Sequence, residues 1–268
     1  MKRLFCMAVV AVVCATAQAH EFWLQPQKYL FAVGETAVID FKVGENFTGE
    51  DWDMKRHKVE QLSLHKGTAS LDLLPTVHAT AGKNVAYPFA QAGTHQFFLK
   101  SNAAFIELEG EKFNAYLKED GIDEIVELRT QRNESATPAR EFYTRYAKLL
   151  VQVGDGTTPH VTRPLGALHE IVPQQNPYAL KTGDYLTVKV FYAGKARPHA
   201  LVKVWTKRNR TTFLQNLYTE NDGTLTFPIN SPGEWMVSSV KMVPSAKTGA
   251  DYESAWASLV FAINESSK

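Results

Sequence analysis

Beyond its first nineteen residues this sequence has no cysteine: of 268 positions only Cys6 and Cys14 carry a thiol. For the rest of the chain that excludes a disulfide framework, a thiolate metal centre and a cysteine nucleophile, so stability has to come from packing. Charge of one sign is lacking as well, with 29 Lys and Arg against 28 Asp and Glu. Setting aside residues 1–19 removes Lys2 and Arg3 and no acid, leaving 27 against 28, so no basic field exists for nucleic acid. No later stretch approaches the roughly 18 consecutive apolar residues of a membrane span. Missing too are Gly-x-Ser-x-Gly, a phosphate-binding glycine loop, paired carboxylates in a catalytic context, His-x3-His and His-Glu-x-x-His, so no enzyme class is marked by motif. No fixed short repeat is visible, which argues against a solenoid or propeller.

What is present starts with an export signal. Lys2 and Arg3 precede an apolar run over residues 4–16, closed by the small-residue pattern of Ala17 and Ala19. Ala11-Val12-Val13-Cys14 lacks the small residue that precedes a lipid-modified cysteine, so cleavage after Ala19 is the expectation, giving a periplasmic protein of 249 residues that begins at His20. A first-position histidine offers an α-amine and an imidazole to one metal ion. The plainer reading is that His20 only opens an edge strand.

From residue 22 to 99 the chain alternates apolar and polar residues in short runs, at 36–44, 59–65 and 94–100, separated by glycine turns. Residues 111–150 read as helix formers: Phe113, Tyr116 and Leu117 share one helical face, and Phe142, Tyr146 and Leu149 recur at i, i+4, i+7 over a third segment from 138 to 150. Residues 146–153 read as a return to strand, and 154–169 as a linker. At least five further strands follow from 185 to 261, with Asn221-Asp222-Gly223 as a hairpin turn. The expected fold is mainly β: two Ig-like or transthyretin-like sandwich domains, at 20–100 and 170–263, with a helical insertion at 101–153.

Among the histidines, His95 shares strand parity with Phe97 and Leu99, which fits a core position or a ligand. His57, His65, His160 and His199 sit beside Lys, Gly or Pro and read as solvent-facing; His78 and His169 are undecided. Met236 and Met242 share strand parity, as core filler or as a thioether pair for copper(I). Glu253 reads as a charge that orders the turn before the last strand.

Several strings coincide with one family: His20-Glu21-Phe22-Trp23-Leu24, Phe105-Ile106-Glu107-Leu108 with 112–117, Tyr146-Ala147-Lys148, the stretch from Asn176-Pro177-Tyr178 to Gly183-Asp184, and 252–259. The chain thereby resembles an exported domain-of-unknown-function family associated with nickel and cobalt uptake systems. The resemblance implies a periplasmic metal-binding accessory or delivery component with a membrane transporter component as partner; it does not name the metal, and among nickel, cobalt and copper the imidazole and amine nitrogens of His20 favour copper and nickel. The candidate ligands are His20, through α-amine and imidazole, with His95 and Met242. In relatives a histidine often precedes the position of Met242, where this chain has Lys241. Separately, residues 192–202, 219–224 and 233–235 resemble the transthyretin-like module, a scaffold without chemistry of its own. Two other functions compete: a β-sandwich interaction module for protein or glycan, and a copper-dependent polysaccharide oxygenase, which also presents its metal on a first histidine.

Overall fold

The computed structural model describes residues 20–264, so the expected export segment and its cleavage point lie outside the described residues. The chain is mainly β, a β-sandwich built from three sheets. Among the described residues the largest has ten strands. Eight of them run in the order Thr211–Tyr218, Leu201–Arg208, Gly233–Pro244, Tyr252–Ile263, Ala139–Val153, Gly93–Ser101, Val59–Lys66, Ala69–Asp72. Leu30–Phe31 and Ala104–Leu108 also pair with Ala139–Val153.

Strand Ala139–Val153 lies at the centre and explains the layering. Its Ala147, Leu149, Val151 and Val153 face a four-stranded sheet made of Glu21–Pro26, Thr36–Glu45, Thr48–Asp51 and Val85–Pro88, while Leu150 faces another made of His169–Pro173, Tyr185–Tyr192, Lys195–Ala196 and Thr224–Pro228. The neighbouring strand behaves the same way: Val260 and Ala262 enter the first core, Leu259 and Phe261 the second. Alternation on a strand covered on both faces therefore places each side chain in one core or the other. Fully buried groups such as Trp235, Phe227 and Phe97 each stabilise the fold by about 1.5–3 kcal/mol. Strands from both expected sandwich ranges hydrogen-bond within the ten-stranded sheet.

Two helices cover the rest of the first face: α1, Gly110–Glu119, and α2, Asp123–Gln131. Phe113, Tyr116 and Leu117 are buried, as their spacing requires, and Phe113 stacks on Tyr252 at 5.4 Å. Gly121 ends α1 in the left-handed region at φ 63°, with Ile122 N donating to Leu117 O at 2.8 Å and Gly121 N to Lys118 O at 3.3 Å, the two bonds of a Schellman cap. A Cβ at Gly121 would stand 2.6 Å from Leu201 Cβ, so glycine also permits the close approach of the helix to the sheet.

Two expectations fail here. The third helix over 138–150 is instead the central strand Ala139–Val153. A strand buried on both faces carries apolar groups at odd and even positions, so a helical subset of them can be picked out by chance, and periodicity cannot decide. Asn221-Asp222-Gly223 is a turn but closes no hairpin: Thr211–Tyr218 and Thr224–Pro228 lie in different sheets. Asp222 Oδ1 accepts from Thr224 N at 2.9 Å, and Gly223 leaves room for Arg197 N, 2.9 Å from where its Cβ would be. The same turn chemistry serves a corner between sheets. No helix among the described residues is long and apolar enough to cross a membrane.

Candidate functional site

His20 lies where three strands of the large sheet, α1 and the first strand converge. In the parallel pair, Tyr143 lies opposite Ser254 and Arg145 opposite Trp256; across the antiparallel pair Glu141 lies opposite Ile106. These residues share one face, and Ile106, Glu141, Tyr143, Arg145 and Trp256, with Leu108, Tyr116 and His20, line a pocket of about 50 Å³.

The start of the chain is fixed from several sides. Glu21 pairs with Gly44 in the strand register, and its carboxylate stands 3.4 Å from Lys203 Nζ. The same ammonium donates to Asp120, at the end of α1, at 2.6 Å. Burial pushes the Asp120 carboxyl up to about 7 despite Lys203, and Glu21 is raised for the same reason. Ser258 Oγ donates to Phe22 O at 2.7 Å.

Glu45 reaches His20 because a tight turn ends the strand Thr36–Glu45. Asn46 and Phe47 both have positive φ, 52° and 51°, the left-handed pair of a type I′ turn. Phe47 is an unusual residue for that conformation. Its ring is buried edge-on to Trp23 at 5.4 Å, and its carbonyl accepts from Lys207 Nζ at 3.2 Å, so packing holds the turn. Gly44 and Gly49 let the two strands close: a Cβ on Gly49 would stand 2.4 Å from Val43 O. His20 Nδ1 consequently stands 3.3 Å from Glu45 Oε1, without hydrogen-bond alignment, and the two side chains are 37% and 41% exposed.

Deeper in the pocket, Glu141 Oε1 accepts from Tyr116 OH at 3.1 Å and from Ser254 Oγ, which in turn accepts from Trp256 Nε1 at 3.0 Å. Burial raises the Glu141 carboxyl to about 7; these hydrogen bonds and the nearby Arg145 charge offset only part of it. Arg145 is 8% exposed, its Nε has no hydrogen-bond partner, and it forms no ion pair among the described residues. Its guanidinium lies over the rings of Tyr143 at 4.9 Å and Phe22 at 5.5 Å. Burial lowers its pKa, yet a guanidinium remains protonated in proteins.

The other sequence candidates sit elsewhere. His95 does share its face with Phe97 and Leu99, but its ring packs on Phe89 at 4.8 Å and Nε2 meets Gln91 O at 3.1 Å. It lies opposite Val151, six residues along the strand from Arg145, so roughly 20 Å away at 3.3 Å per residue. Met242 is buried among Phe113, Tyr116 and Val240 in the helix-covered core and does not line the pocket. Neither converges with His20. Lys241 pairs with Glu124 at the start of α2, and Glu253 binds Lys247 and Ser245 in the turn before the last strand, as its position suggested. His169 is fully buried, with Nδ1 2.9 Å from Phe191 O and Nε2 3.1 Å from Ser239 O. Burial without a counter-charge holds its pKa down to about 3, so it is neutral and donates to one carbonyl only. His57, expected in solvent, stacks on Trp52 at 5.3 Å beside Tyr143.

Sequence reasoning missed Glu45, Glu141, Tyr143 and Arg145. The signal for the last three was alternation, since they recur every second residue, and a helical reading of 138–150 hid it. No three His, Cys, Asp or Glu side chains cluster as a metal site among the described residues. The donors available to an ion at the pocket mouth are the His20 imidazole, the Glu45 carboxylate and, in a chain that begins at His20, the α-amine.

A family model described as "Domain of unknown function (DUF4198)" matches residues 17–242. No curated protein matches the chain. Among solved structures, the D0-D1 domain of Intimin is 15% identical over 90% of this chain and 97% of that one, at a TM-score of 0.19. Three N-terminal domains of the bacteriophage RB49 outer capsid protein Hoc are 7% identical over 92% and 71%, at 0.22. Superpositions this loose carry no argument about fold or function.

Proposed function

The chain belongs to this family of unknown function, and from that premise we propose that it is a periplasmic transition-metal-binding protein, an accessory or delivery component of a nickel, cobalt or copper uptake system. It takes the ion as cargo through the α-amine and imidazole of His20, with Glu45 as the adjoining carboxylate. One observation carries the reading: at a partly exposed pocket mouth, His20 Nδ1 and Glu45 Oε1 stand 3.3 Å apart without a hydrogen bond between them. Two nitrogens and one carboxylate suit the later divalent transition metals better than magnesium or calcium. No second histidine lines the pocket, which weighs against the copper oxygenase.

Calorimetric titration with nickel(II) or copper(II) tests this on three proteins: one beginning at His20, one with a single glycine before His20, and Glu45→Gln. Most of the affinity is lost in the extended protein, whose amine has become an amide, and part of it in Glu45→Gln, with apo melting temperatures unchanged. Equal binding by the first two proteins overturns the proposal. The interaction-module alternative is favoured by one place, the edge strand Thr211–Tyr218, where Phe213, Leu214 and Tyr218 are exposed.

A further inference from the structure

Arg145 poses a question that metal binding leaves unanswered. A buried cation without a counter-ion is costly, and proteins ordinarily pair it. Here the guanidinium borders the pocket, its Nε has no partner, and no carboxylate forms an ion pair with it among the described residues. Glu141 shares the pocket, but its Oε1 already accepts from Tyr116 and Ser254. Burial raises its pKa to about 7, so near neutral pH it supplies only part of a negative charge.

We propose that the pocket beneath His20 binds a small carboxylate, held by Arg145 and flanked by Tyr143, with its carbon end against Ile106, Leu108 and Trp256. The volume agrees. One water-sized centre needs about 10–15 Å³, so 50 Å³ admits roughly three to five, and acetate has four heavy atoms. The chemistry agrees as well: a guanidinium fork matches a planar carboxylate in two parallel hydrogen bonds, and one cation beside an acid is a poor host for a doubly charged tetrahedral anion. The carboxylate is either a free anion or the acid arm of a metal chelate whose ion sits on His20; the second case rests on the proposed metal site, the first does not.

The test is calorimetry of sodium acetate into the protein beginning at His20, with chelator present and chloride balancing the ionic strength. One saturable event is expected, at least tenfold weaker in Arg145→Gln and several-fold weaker in Tyr143→Phe, which keeps the ring and serves if the first variant does not fold. Phosphate produces no comparable event. Absence of saturable heat in the wild type, equal binding by Tyr143→Phe and Arg145→Gln to that of the wild type, or phosphate binding as tight as acetate overturns the proposal. Repeating the titration with nickel(II) in place of chelator separates the sources: acetate tightens if it is shared with the ion and is unchanged if it binds as a free anion. The glycine-extended protein retains acetate binding under chelator, so loss of the metal site and loss of the anion site are read independently.

Discussion

Arg145 and Lys148 lie three residues apart on the central strand, point to opposite faces of it, and are both buried, yet their surroundings differ. Lys148 is 2% exposed and donates to Glu170 at 2.5 Å, itself 1% exposed, and to Ile171 O at 3.1 Å. Glu170 also accepts from the backbone amides of Leu165 and Gly166. That pair ties the large sheet to the strand His169–Pro173, and neither charged group is left without a partner. Arg145, on the His20 face, has aromatic rings and an acid largely protonated below about pH 7 for company. A satisfied buried charge reads as part of the framework, and an unsatisfied one at a pocket reads as a place kept for a ligand.

Three experiments break or sharpen this contrast. The largest effect is expected at Lys148→Met, which leaves Glu170 buried without its counter-ion and should cost about 3–5 kcal/mol in urea unfolding. The double variant Lys148→Met with Glu170→Gln, which keeps an acceptor for the two amides, should recover most of that. A single-variant loss under about 1 kcal/mol would mean that the two faces are not different in kind.

Next comes Glu141. Its folded pKa of about 7 lies above the ordinary carboxyl value of 4.5, so the folded state binds the proton more tightly than the unfolded state. The stability this confers is complete below about pH 4.5 and is lost as pH rises to about 7, a total of about 3 kcal/mol. Asp120 acts in the same direction, so the measurement is the difference between wild type and Glu141→Gln across pH 4.5 to 8. Parallel profiles would show that Glu141 is ionised throughout.

The smallest change in stability is expected at Arg145→Gln. The Tyr143 hydroxyl beside it belongs to a part-exposed residue and can turn to water, and removing a buried charge that has no ion pair offsets the lost ring contacts, so unfolding free energy should shift by no more than about 1 kcal/mol in either direction. A loss near that of Lys148→Met would make Arg145 a structural cation.

The sequence made the β character legible because most strands alternate cleanly, and the helical faces of Phe113, Tyr116 and Leu117 legible because spacing alone defines them. It placed His20 at a candidate site for a chemical reason, its position after the expected cleavage point. The rest of the site was illegible for two reasons. Glu45 reaches His20 through a turn held by Phe47 in a left-handed conformation, which local sequence does not favour. Glu141, Tyr143 and Arg145 alternate on a strand, but Phe142, Tyr146 and Leu149 in the same segment also fit a helical spacing, and that competing pattern hid the alternation. His95 and Met242 were plausible by residue type, but the convergence of ligands depends on sheet register, which no short window contains.

The parallel pairing of Ala139–Val153 with Tyr252–Ile263 has a kinetic consequence. Glu141 meets Tyr252, 111 positions further along by their numbers, and the later strand supplies side chains to both cores. Such distant contacts make loop closure a slow step of folding. The N-terminal half cannot complete its own core while the last strand is missing, so the two halves finish folding together rather than in order of synthesis. A chain cut before Tyr252 would lose Trp256 from the wall of the His20 pocket along with the strand that completes both cores.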